Sequence, residues 1–234
     1  MWTREMIKSR AKKYLFNIYW QAFFVSLVIF VVGGEHNTGS TSGNSVRDSN
    51  FGFHFNFSTF LKIGGIVLLF IILRVVFGYL LEVGGRKFFI QASKGDVNLN
   101  YLKLGFDNNL YMNIIFTMFK KSVQIFLWSL LLIIPGIIKS YEYRMIPYLL
   151  AENPNMHPDR AFEISRIMTD GEKFEIFVLD LSFLGWYLIG ALFLGIGGLF
   201  VNPYVDTTNA ELYKIFKQDL LEKNIISSSE LSLI

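Results

Sequence analysis

Arg74, Glu142, Arg144 and Asp206 carry full charges inside stretches that are otherwise apolar. Counted at about 1.5 Å per residue from the nearest polar flank, all four fall near the middle of a hydrocarbon layer about 30 Å thick. Lys120, Lys121 and Asp180 fall somewhat shallower, and Glu82 lies at an inner edge. A central charge costs about 2.5–3.5 kcal/mol on insertion scales, so such groups must face one another or water. The pattern predicts an interior polar belt, with Arg74 against Glu142 or Asp206, and Arg144 against Asp180 or Glu82. Two chemistries fit it. An ion-pair network would hold short helices together. A hydrated pocket would bind an amphiphile headgroup, an ion or a peptide.

Helix-breaking residues lie in the same segments. Pro135-Gly136, Pro147 and Pro203 free backbone carbonyls that need protein or water partners at that depth. Such breaks often line binding sites in transporters. They also make turns, and Pro135-Gly136 reads as a turn. Signals for catalysis are weak. His36, His54 and His157 all fall in predicted loops, two on one side of the layer and one on the other, so they cannot share a metal. Glu35 and Asp48 are isolated, and the glycines at 195, 197 and 198 lack the strand, helix and lysine of a phosphate loop. No catalytic residue, metal ligand or cofactor is nominated, and the expected function is non-enzymatic.

Composition supports the membrane class. The 234 residues are 52% hydrophobic and only 18% charged, against about 25% in a soluble domain; mean hydropathy is +0.40. A net charge of +3 is too small to argue for nucleic acid. The absence of cysteine excludes disulfides and thiol chemistry. The first apolar run is long and lacks a small-residue cleavage site, so no cleavable signal peptide is expected.

The elements that must position the belt are six spans in one membrane domain over 1–234, at about 14–33, 61–83, 110–134, 137–152, 174–194 and 199–217. The third and fourth form a hairpin around Leu127 to Glu152. The polar segment 34–60, which ends in alternating Phe51, Phe53, Phe55 and Phe57, is expected outside. Segment 84–109, with Arg86, Lys87, Lys94 and Lys103, is expected in the cytoplasm. So is 153–173, read as an amphipathic helix with Pro158 in its first turn and Gly171 after its end. The tail 218–234 and the basic start, with Arg4, Lys8, Arg10, Lys12 and Lys13, place both termini inside. Making 122–138 and 174–200 single spans would put Arg160 and Arg166 outside, against the charge bias. The third and fourth spans also echo the fifth and sixth: each pair has a Gly-containing tip and a Pro-Tyr in the return arm (Pro147-Tyr148, Pro203-Tyr204).

The motifs LWSLLLIIPGIIKSYEYRM (127–145), YLLAENPN (148–155) and AFEISRIMTDGEKFEIFVLDLSFLGWYLIGALFLGIGGLFVNPY (161–204), with Tyr19-Trp20-Gln21-Ala22 near the start, resemble the domain-of-unknown-function family numbered 975, small bacterial integral membrane proteins. More distantly, the PGI…P…S…G arrangement is similar to the membrane part of glycerophosphodiester phosphodiesterases, whose soluble catalytic domain this chain lacks. The resemblance implies a multi-pass protein of a bacterial plasma membrane. It carries no catalytic residue over and does not extend to 34–60.

The expected function is binding of an amphiphile, lipid or peptide by the belt or the external loop, in envelope homeostasis or self-protection, with membrane lipids as surroundings. One alternative is a small transporter, as a homo-oligomer, using the belt as its path. The other is a structural or interaction subunit of a membrane complex.

Overall fold

The computed structural model describes residues 2–32, 76–106, 110–192 and 197–231. Arg74, the external loop with its phenylalanine strip, His36 and His54, and the first part of the second span lie outside the described residues. Those described are all-helical, with no strand among them.

Helix α1 is Arg4–Val32, and α2 covers 76–92. A 3-10 segment, Leu99–Phe106, leads to α3, Tyr111–Leu131. There follow α4 (Ile133–Glu142), α5 (Ile146–Glu152), α6 (Pro158–Met168), α7 (Lys173–Leu192), α8 (Gly197–Glu222) and a short α9 (Ser228–Leu231). Helix α8 packs against both α1 and α7, and α3 pairs with α4 as a hairpin. Among the described residues, two helices are long and apolar enough to cross a membrane: α1, over Arg4–Val31, and α3.

The hairpin turns at Leu132, whose extended backbone (φ −157°, ψ 140°) ends α3. The turn therefore comes before Pro135-Gly136 rather than at it. Pro135 sits in the first turn of α4, where its missing N–H costs nothing. Gly136 serves the packing: a Cβ there would lie 2.2 Å from Ser129 Oγ and 2.7 Å from Ser129 Cα. Gly136→Ala is expected to force the two arms apart and destabilise the chain by about 1–3 kcal/mol, measured by thermal unfolding. Ser129→Gly would rescue it only in part, because the backbone at position 129 still crowds the added methyl.

The return arm is two helices, not one. The chain bends at Tyr143–Met145, and Pro147 opens α5. The Ser165 hydroxyl on α6 staples this bend: it donates to the Glu142 carbonyl (2.7 Å) and accepts from the Met145 N–H (3.3 Å). Pro203 ends nothing, since α8 runs straight through it. Just beyond it, Thr207 and Thr208 hydroxyls bond back to the carbonyls of Pro203 and Tyr204 (2.6 and 2.7 Å), a pattern that accommodates a bend without breaking the helix.

Helix α2 also runs further than its sequence suggests, to residue 92 rather than 83. Gly84-Gly85 do not stop it. They let neighbours come close: a Cβ on Gly84 would meet the Leu102 backbone at 2.6 Å, and one on Gly85 would meet Ile29 at 2.4 Å. Small residues at such crossings are a feature of helix pairs in membranes. The extension carries Arg86 into the interior.

Candidate functional site

Asn202, Asp206, Asn209, Tyr213 and Lys217 recur every three or four residues along α8 and so share one side of it. Each reaches a different element. Asn202 Oδ1 accepts from the Tyr187 hydroxyl of α7 at 2.8 Å. Asp206 accepts from Arg86 Nη1 of α2 and from the Ser26 hydroxyl of α1, both at 2.6 Å. Asn209 Oδ1 accepts from Arg144 at the α4–α5 bend at 2.9 Å. Tyr213 and Lys217 both donate to Glu152 of α5 at 2.7 Å. One stripe of α8 thus ties α1, α2, α5, α7 and the bend together.

Two ion pairs anchor this spine. Arg86 is 4% exposed and Asp206 1%; Glu82, one turn before Arg86, stands 3.8 Å from its other amine. The guanidinium lies 5.2 Å above the Tyr148 ring, which stacks on Tyr213 at 5.3 Å. Arg144 grips Asp180 with both amines, at 2.6 and 2.8 Å, the bidentate geometry that makes such pairs strong. The Tyr148 hydroxyl is buried without a hydrogen-bond partner among the described residues.

The other expected belt residues are distributed around this spine. Glu142 takes Lys139 at 2.8 Å and Arg166 of α6 at 2.9 Å. Lys121 is buried within α3. Lys120 is half-exposed and pairs with Asp159 of α6, at the edge of the bundle. Its ammonium holds the Asp159 carboxyl below the usual range. The structure therefore brings Arg144, Asp180 and the stripe of Asp206 together, with Glu82 beside Arg86. Sequence reasoning missed Arg86, Ser26, Glu152, Asn209 and Tyr213. The signal available was the spacing of polar residues along α8.

At one end of the bundle Arg160 of α6 donates to Glu230 (2.7 Å) and to the Ile225 carbonyl (3.2 Å), and Asn153 donates to the Glu230 carbonyl (2.7 Å). The Arg160 bond holds the Glu230 carboxyl below its ordinary range. A lowered folded-state value means the contact stabilises above the unfolded value and is lost as pH falls through the folded one. Release of α9 on acidification is expected to begin only below about pH 4.5, read by hydrogen exchange at residues 225–231, and Arg160→Gln is expected to remove the dependence.

Residues 129–219 match the family described as "Protein of unknown function (DUF975)". The likeness to the DUF975 family covers this segment, less than half of the chain. No curated protein and no solved structure matches the chain, so the distant likeness to glycerophosphodiester phosphodiesterases gains no support there. The DUF975 segment runs from the end of α3 to most of α8. It contains the whole Arg144–Asp180–Asn209 set and the Glu152–Tyr213–Lys217 set. Arg86 and Ser26, which complete the Asp206 site, come from outside it.

Proposed function

We propose that this chain is a non-enzymatic, multi-pass membrane protein that binds an amphiphile, with its charged spine locking the bundle. One observation carries the reading: charged side chains are buried among the core while many large apolar side chains face outward. Glu82, Arg86, Lys121, Asp206 and Glu211 are all at most 4% exposed. Phe16, Trp20, Leu130, Ile133 and Phe174 are 70–87% exposed. Water would penalise that arrangement, whereas hydrocarbon favours it, because charges there must be paired inside and apolar side chains must face out. The interior acids are committed to cations or hydroxyls, which favours a structural belt over a general base. The amphiphile then docks at the lipid-facing surface or the external loop.

Topology tests this. The chain has no cysteine, so single cysteines report cleanly. In a six-span protein with both ends inside, Ser45→Cys labels from the outer face, while His157→Cys and Lys223→Cys label from the cytoplasmic face. Extraction of the protein by alkaline carbonate, or labelling of Ser45→Cys and His157→Cys from one side, would overturn the reading. The transporter alternative is favoured by the unpartnered Tyr148 hydroxyl beside Arg86, a place for water or a passing ion. It predicts flux in proteoliposomes that Tyr148→Phe reduces.

A further inference from the structure

A groove of about 480 Å³ runs along α1 and is lined by Lys12, Leu15, Phe16, Tyr19 and Tyr204. That size falls in the usual range for a ligand site. Its walls are largely apolar, and its two tyrosines are held in place. Tyr19 donates to the Phe200 carbonyl at 3.1 Å, and the Tyr204 ring packs edge-on to Phe183 at 5.2 Å. At its charged end the Lys12 ammonium lies 5.6 Å over the Tyr204 ring.

A second feature points to what fills it. Arg4, Lys8 and Lys12 are spaced four apart, so they stack on one side of α1. None of the three has a carboxylate partner among the described residues. Lys8 reaches the Ser182 hydroxyl at 2.6 Å and the Phe183 ring at 4.0 Å. Like charges crowd here beside an apolar groove. We infer that the groove holds one acyl chain of an anionic phospholipid, with the phosphate on Lys8 and Lys12. The order of features along α1 matches such a molecule: cations first, then Leu15 and Phe16, then Tyr19 further into the span. The inference rests on the membrane reading and names the amphiphile.

The full chain, released from micelles holding equal phosphatidylglycerol and phosphatidylcholine, is examined by native mass spectrometry. Wild type is expected to retain phosphatidylglycerol preferentially. Lys8→Gln with Lys12→Gln is expected to lower that retention roughly thirty-fold, taking two surface cations at their usual value, and to leave phosphatidylcholine unchanged. Leu15→Trp, which fills the groove, is expected to lower it as well. Lys12→Arg keeps the charge and should bind like wild type, which guards against a folding artefact in the glutamine pair. Equal retention of the two lipids by wild type, or undiminished phosphatidylglycerol on the double variant, would overturn the site. A carbonate-resistant protein with no lipid preference refutes the groove alone, whereas a carbonate-extractable protein refutes the membrane reading beneath it.

Discussion

Arg86→Ala is expected to cost about 3–5 kcal/mol, the usual result of removing one partner of a buried pair. The change leaves the Asp206 and Glu82 carboxylates in the interior without the guanidinium that sits 2.6 Å from one and 3.8 Å from the other. It also takes the cation off the Tyr148 face. For a chain of this length the loss should lower the unfolding midpoint in detergent by more than about 6 °C. The contrast is a triple variant, Arg86→Met with Glu82→Leu and Asp206→Leu. Apolar replacement of a whole buried ionic set is often neutral or stabilising. The triple variant should therefore regain more than half of the loss. A triple variant as unstable as Arg86→Ala would show that these charges do more than close the bundle.

Arg144→Ala is the second large effect, again about 3–5 kcal/mol, with a different signature. Arg144 sits in the bend between α4 and α5 and holds it to α7 through Asp180 and to α8 through Asn209. Its loss should loosen Tyr143–Met145 first, so hydrogen exchange there should rise before exchange in α3. Arg144→Lys keeps the charge and loses the two-pronged grip. It should recover only part of the stability. Full recovery by lysine would mean that charge alone, not geometry, holds the bend.

The Arg144–Asp180 pair was legible in part: charges inside apolar segments call for partners of opposite sign, and Asp180 was one of two acids open to Arg144, with Glu82. Arg86 was not. It follows two glycines and precedes Lys87 and Lys94, so it reads as the polar flank after a finished span. Only the packing shows that Gly84 and Gly85 are contact points for Leu102 and Ile29 rather than a stop. Pro203 misled for the mirror reason. Its ring predicts a break, but the helix goes on, and in the turn before it the Tyr19 hydroxyl of α1 donates to the Phe200 carbonyl. Lys120 was placed by depth from the start of α3, a count blind to α6, whose Asp159 comes alongside. Helical class, the hairpin of α3 and α4 and the helix opening at Pro158 follow from local patterning. The spine of α8 depends on which helices surround it, and that is tertiary information.

The most direct test of the whole account asks which solvent meets the exposed rings. Nitroxides placed singly at Phe16, Trp20, Leu130, Ile133 and Phe174 in reconstituted bilayers would be read by collision with oxygen and with a water-soluble nickel chelate. The account predicts high oxygen and low nickel accessibility at all five, and low values for both at the buried Val25, Ile114 and Leu212. High nickel accessibility at the five outward positions would contradict it.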